Sequence, residues 1–255
     1  MKLASWNVNS LSARMPRLLD WLRDHQPDVI ALQETKLEDA RFPTMEIVAA
    51  GYHAIFSGQR TYNGVAIISR EAARDVAPDM PEFPDDHKRV LAATIGDVRL
   101  VCFYVPNGQS VTSEKYQYKL RWLAAATSYL RHQLSRHPRL AVVGDFNIAP
   151  EDRDVYAPDL WREQVLCTTA ERAAFRDWLA LGLKDAFRLF EQPEKTFSWW
   201  DYRMLAFPKN NGLRIDHILL SPALASRCTA CNIDRQARKG EKPSDHAPVM
   251  AEITT

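Results

Sequence analysis

The chain has 255 residues, 46% of them hydrophobic, and a formal net charge of +1. That length is enough for one large domain with a sizeable core, and so small a charge excludes a global field for nucleic acid, leaving only local basic patches. Its 4 cysteines are too few for a disulfide scaffold, and no apolar run approaches the roughly 18 residues of a membrane span, so the chain reads as cytoplasmic with reduced thiols.

In chain order, residues 2–7 read as an apolar strand ending in Asn7. Residues 10–15 form a turn, and Pro16 opens a helix with Leu18, Leu19, Trp21 and Leu22 on its apolar face. Pro27 stops it, and residues 28–33 form a second strand that delivers Gln33 and Glu34. A loop with Lys36 follows, then a short helix near residues 45–50 and two strands, 52–56 and 65–69. Residues 75–88, rich in proline and aspartate, cross the surface. A hairpin of residues 90–95 and 98–105 leads to Tyr104 and Asn107, and a long helix covers residues 113–136.

The most informative stretch comes next. Leu140-Ala141-Val142-Val143 has the character of a buried strand, and it runs into Gly144-Asp145-Phe146-Asn147. Strand alternation places Asp145 and Asn147 on one side and Phe146 on the other. A charged carboxylate at the end of a buried strand costs several kcal/mol unless it is paired or metal-bound. The ordinary alternative is a strand closing in an Asx-type turn. Residues 149–170 form a loop long enough to suggest function. Residues 171–181 and 183–190 read as helices, and 198–212 as a second irregular stretch. The last strands hold Asp216 and, after a basic loop at 235–240, the pair Asp245-His246.

Strand ends thus carry Asn7, Glu34, Asp145 with Asn147, Asp216, and Asp245 with His246. Repetition of that pattern points to one convergent polar site. Oxygen ligands without thiolates suit a hard cation, Mg²⁺ with Mn²⁺ able to substitute, rather than zinc. Cys228-x-x-Cys231 has redox or half-zinc spacing but no second pair to complete it. Lys36, Arg60, Lys88, Lys115, Lys119, Arg203, Lys209, Arg214 and the 235–242 run are candidate phosphate contacts, against the plain reading of solvated charges. Trp199 and Tyr202 beside Arg203 can stack on an unpaired sugar or base, whereas Trp200 reads as core.

Seven motifs together carry a resemblance: Trp6-Asn7-Val8-Asn9-Ser10, Leu32-Gln33-Glu34-Thr35-Lys36, Tyr62-Asn63-Gly64-Val65-Ala66, Tyr104-Val105-Pro106-Asn107-Gly108, Gly144-Asp145-Phe146-Asn147, Gly212-Leu213-Arg214-Ile215-Asp216 and Ser244-Asp245-His246-Ala247-Pro248. In this order the chain resembles the exonuclease III family of DNA repair nucleases over nearly its whole length. The resemblance implies an α/β fold, a four-layered α/β sandwich of two packed mixed β-sheets flanked by helices, with residues 1–255 as a single domain. It implies a monomer that hydrolyses double-stranded DNA at an abasic site, nick, gap or 3′-end, cutting 5′ to abasic sites, removing 3′-nucleotides and 3′-blocking groups, or both.

By the same resemblance Glu34 is the principal metal ligand, helped by Asn7, Asn9 and Asp245. Asp145 positions or deprotonates the attacking water, and Asn147 orients Asp145 and contacts phosphate. His246, held by Asp216 or Asp245, hydrogen-bonds the scissile phosphate. Tyr104 supplies its hydroxyl near the phosphate or leaving group. Asn9, Lys36, Asn107, Tyr202 and Arg203 contact substrate, and Trp199, Leu213 and Ile215 line the pocket for an abasic sugar or terminal nucleotide. The 149–170 segment looks shorter than in exonuclease III itself; a shorter or bulkier wall near Leu166 and Cys167 would admit a frayed 3′-end yet obstruct a flipped sugar, and the residues leave open which activity prevails. The rivals are a phosphatase of the same superfamily acting on lipid or inositol phosphates, and a DNA-binding protein without catalysis. The first lacks a membrane-facing apolar loop, and the second predicts loss of a site residue where none is missing.

Overall fold

A computed structural model describes residues 1–254. Strands β1 (Lys2–Asn7), β2 (Val29–Gln33), β3 (His53–Ser57) and β4 (Val65–Ser69) open the chain. Next come β5 (Arg74–Ala77), β6 (Val90–Ile95), β7 (Val98–Tyr104) and β8 (Leu140–Asp145). The last four are β9 (Lys184–Asp185), β10 (Asp216–Leu220), β11 (Cys228–Ile233) and β12 (Val249–Ile253). They form two mixed 6-stranded sheets, ordered β11-β12-β1-β2-β4-β3 and β5-β6-β7-β8-β10-β9. Around them lie α1 (Leu11–His25), α2 (Thr44–Ala49), α3 (Glu114–Arg136), α4 (Pro158–Trp161) and α5 (Thr169–Ala180).

Strand alternation builds the layers. Leu3, Ala31, Ile67 and Ala251 of the first sheet meet Leu91, Leu100, Val143 and Ile218 of the second in a shared central core. The opposite faces carry Trp6, Ile30 and Ile68 against Leu18, Trp21 and Leu22 of α1, and Phe103, Val142 and Leu219 against Trp122 and Leu130 of α3 and Trp178 of α5. Strands apolar on both faces therefore sit between helix layers, as the uninterrupted runs in β2, β4 and β8 require. The result is the expected four-layered sandwich.

β1 runs parallel to β2 and β7 parallel to β8. β10 runs antiparallel to β8, with Asp216 directly opposite Asp145. The carboxyl ends of four strands and the amino end of β10 therefore meet at one edge of the two sheets. Gly144 is required there: at φ 145°, an added Cβ would lie 1.8 Å from the Phe103 carbonyl oxygen of the adjacent parallel strand.

Several expected boundaries move. α1 begins at Leu11 and carries Pro16 in its interior, so residues 10–15 are not a separate turn; the missing Pro16 donor costs one helical hydrogen bond, outweighed by burial of Leu11, Leu18, Trp21 and Leu22. Residues 183–190 are not a helix. They form β9 and a 3₁₀ turn at Ala186–Leu189, opened by the Asp185 side chain accepting from the Phe187 amide. The surface stretch at 75–88 starts within the edge strand β5. The long irregular segments are tied in register by single bridges, Val155 to Leu213, Leu213 to Trp199 and Trp199 to His246. Among the described residues no helix is long and apolar enough to cross a membrane.

Candidate active site

The site is assembled where those strand ends meet. Asn7, the last residue of β1, donates through Nδ2 to Glu34 Oε1 at 2.9 Å and to Asp145 Oδ2 at 2.9 Å. One carboxamide thus bridges carboxylates from both sheets. In this orientation its oxygen accepts from the Asn9 amide at 2.9 Å, so Asn7 faces the two carboxylates as a donor.

Asp145 and Asn147 are neighbours for a different reason from strand alternation. β8 ends at Asp145, and Asn147 has φ 50°, outside extended backbone. The Asp145 side chain accepts from the Asn147 amide at 2.9 Å, closing an Asx turn, and from Asn147 Nδ2 at 3.2 Å. Asn147 Nδ2 also reaches the Val105 carbonyl, and Asn107 Nδ2 donates to Asn147 Oδ1 at 3.0 Å. Asn9, Glu34, Lys36 and Asn147 all adopt positive φ. Such backbone strain, tolerated by a surrounding hydrogen-bond framework, clusters at functional sites.

His246 is buried, and the acid that holds it is Asp216. Its Nδ1 lies 2.9 and 3.1 Å from the two Asp216 oxygens, while Nε2 lies 3.8 Å from Asp145 Oδ2. Asp216 also accepts from the Ser198 hydroxyl at 2.7 Å, and Ser198 Oγ accepts the amides of Ile215 and Asp216. Ser198 was not anticipated; a serine beside a tryptophan pair carries no sequence signal of what its hydroxyl will meet. Burial opposes the charge on His246, but Asp216, Asp145 and Asp245 together overcome it and raise its pKa, favouring the imidazolium. Burial pushes the Asp145 carboxyl up, against the nearby His246 charge, which pulls it down. Burial likewise raises the Tyr104 phenol well above its ordinary range, with Glu34 and Asp145 adding to the effect, so it keeps its proton as a donor.

Glu34, Asp145 and His246 each bring a ligand atom within 4.8 Å of one another. Two carboxylates without a thiolate fit a hard divalent cation. The third member, His246, spends Nδ1 on Asp216, so Nε2 is the ring atom it turns toward Asp145. Asp245 lies outside that group and accepts from Asn9 Nδ2 at 2.9 Å and from Trp199 Nε1 at 3.0 Å, one bond on each oxygen. Asn9 Oδ1 in turn accepts from Lys36 Nζ, which also pairs with Glu34 at 3.0 Å.

Other expected substrate contacts scatter. Arg203 is 84% exposed and paired with Asp201. The Tyr202 hydroxyl donates to the Pro243 carbonyl and accepts from Arg14. Lys119 and Arg214, candidate phosphate contacts by charge, lie in the interior in ion pairs with Glu171 and with Asp154 and Asp185. Trp200 is buried as expected. Leu213 and Ile215 are 0% and 1% exposed, packed with Leu166, Cys167, Val155 and the flank of Trp199. Their packing partners Val155, Leu166 and Cys167 all come from the 149–170 segment.

Fold and site define a hydrolase of phosphate esters built on an α/β sandwich. The chain belongs to the endonuclease/exonuclease/phosphatase family, which it matches over residues 4–246. It is similar to exodeoxyribonuclease III of Haemophilus influenzae, 37% identical over 99% of this chain and 100% of that one. A solved 3′ phosphatase from Neisseria, bound to a product DNA hairpin, superposes with a TM-score of 0.98 at 44% identity, covering 100% of both chains. An AP endonuclease from Archaeoglobus fulgidus superposes at 0.96 with 38% identity, again over 100% of both.

Proposed function

We propose that this chain is a Mg²⁺-dependent DNA repair nuclease that works chiefly at 3′-ends of duplex DNA. It removes 3′-phosphates, other 3′-blocking groups and 3′-terminal nucleotides, and it incises abasic sites poorly. The carrying observation is burial: Leu213 and Ile215, packed with Leu166 and Cys167, have almost no surface to offer a flipped sugar. The likeness to the Neisseria 3′ phosphatase supports the same reading. Four free cysteines are in keeping with a cytoplasmic setting, and we take the working form to be a monomer.

The chemistry follows from the geometry. Asp216 orients the His246 ring so that Nε2 faces Asp145 and can donate to a phosphate oxygen as negative charge develops there. Asp145 takes the proton of the attacking water, its basicity raised by burial. Asn147 holds Asp145 through the Asx turn, and Asn107 fixes the carboxamide of Asn147. Tyr104 donates its retained proton toward the phosphate or leaving oxygen. Glu34, with Asp145 and the Asn7 carboxamide between them, is where a divalent cation would sit. When bound, that ion supplies charge neutralisation to the phosphate.

A second reading, efficient incision at abasic sites, is favoured by the likeness to the Archaeoglobus AP endonuclease. Two labelled duplexes separate the two, one with an internal abasic analogue and one with a nick bearing a 3′-phosphate, each incubated with Mg²⁺ and with EDTA. Phosphate release and 3′-trimming without abasic incision support the proposal. Incision of the abasic strand as fast as phosphate release supports the second reading, and no Mg²⁺-dependent product overturns both.

A further inference from the structure

Lys119 is a fully buried lysine in the second turn of α3, whose other buried residues include Trp122, Leu123 and Ala126. Its Nζ lies 2.7 Å from the Asn147 carbonyl, 3.1 Å from the Asn107 carbonyl and 2.5 Å from Glu171 Oε1. An ammonium has three protons, and these are three acceptors on three separate segments. Glu171 is equally enclosed. Its remaining capacity goes to the amides of Leu166 and Thr168 and to the Thr168 hydroxyl, which caps α5.

A buried ion pair is poor at stabilising a fold, since an apolar pair of similar volume usually does as well or better. What the ammonium does here is local. It grips the peptide carbonyls of the two asparagines whose side chains are already joined, Asn107 to Asn147, and it holds Asn147 at a positive φ. Asn147 in turn presents its amide and carboxamide to Asp145. We propose that Lys119 is a positioning residue for the reaction: it fixes the Asp145-Phe146-Asn147 turn and the Asn107 loop relative to each other through their carbonyls, with Glu171 neutralising its charge. This rests on the functional reading above, in which Asp145 and Asn147 act at the phosphate.

The test compares Lys119→Met, Lys119→Arg and the double variant Lys119→Met/Glu171→Gln, which removes both charges and keeps an acceptor for the α5 cap. Steady-state 3′-phosphate release, duplex binding in EDTA and thermal melting are measured for each. Lys119→Met alone leaves Glu171 buried and unpaired, so it melts lower whatever its role. The double variant regains most of the melting temperature, yet its kcat stays about 10- to 100-fold down, the scale of a misplacement near 1 Å, with KM and DNA affinity within about twofold. Lys119→Arg, which keeps donors at the carbonyls, recovers part of kcat. A double variant with both stability and kcat restored overturns the proposal, as does a loss carried by KM. Wild-type protein without any 3′-phosphate release overturns the functional reading, and the role of Lys119 falls with it. Normal wild-type turnover with an unchanged double variant overturns only Lys119.

Discussion

Asp216 and Asp145 face each other across the β8–β10 pairing, and their surroundings give them different work. Asp216 accepts from the Ser198 hydroxyl and the His246 ring, so it orients. Asp145 is shared among Asn7, Asn147 and the nearby imidazole, and burial raises its basicity. Asp145→Asn and His246→Ala are each expected to lower the chemical step by roughly 10²–10⁴-fold, the range for a positioned base or a charge-stabilising partner. Duplex affinity should change little, and single-turnover rates beside equilibrium binding in EDTA check both halves. Glu34→Ala should instead raise the Mg²⁺ concentration needed for half-maximal rate, read from a titration at saturating DNA. Most of these residues were legible because an acid, amide or imidazole ending an apolar strand is costly without a purpose. Ser198 was not, and neither was the choice of Asp216 over Asp245, because both depend on contacts between segments far apart in sequence.

At the scale of elements, the proposed preference for 3′-ends rests on the 149–170 segment. It folds back so that Leu166 covers Leu213 and Ile215, and Leu166 does so at φ 80°, held by its amide donating to Glu171 at 3.0 Å and its carbonyl accepting from Ala149. A leucine there is strained, and a glycine is not. Leu166→Gly should therefore open space there, its relieved backbone strain offsetting part of the roughly 2–5 kcal/mol that loss of a buried leucine costs, and abasic incision relative to 3′-phosphate release should rise at least about tenfold, the result of roughly 1.4 kcal/mol of new transition-state binding. Unchanged selectivity in a well-folded variant would contradict the plug. The sequence pointed to a wall near Leu166 and Cys167 but left its effect on substrate choice open. It misplaced Lys119 and Arg214, because a charge shows its sign in the sequence but not its partner. Residues 183–190 misled for a related reason: their apolar run suits a helix, and only the capping by Asp185 and its ion pair with Arg214 turn it into a short strand and a 3₁₀ turn.

Across the whole molecule, the two sheets and their helix layers were legible from uninterrupted apolar runs, while the buried polar framework joining β10 to the 149–170 segment was not. Arg214 bonds Asp154 and Asp185, and its Nη1 meets His217 Nδ1 at 3.1 Å while His217 Nε2 meets the Ile148 carbonyl at 2.9 Å. That arrangement holds a neutral imidazole, and burial, aided by Arg214, lowers the His217 pKa from 6.5 to about 4. The folded state refuses a proton that the unfolded chain accepts. This contribution is complete above pH 6.5 and is lost as pH falls towards about 4, a span worth about 3 kcal/mol. Denaturant unfolding of His217→Gln between those pH values should show a shallower loss of stability than wild type. The central claim, that a site built for phosphate-ester hydrolysis is steered to 3′-ends by the burial of Leu213 and Ile215, is tested most directly on one duplex carrying both a nick with a 3′-phosphate and an internal abasic analogue on the other strand. Under single turnover with Mg²⁺, phosphate should be released while the abasic strand stays intact; incision of that strand at a comparable rate would contradict the account.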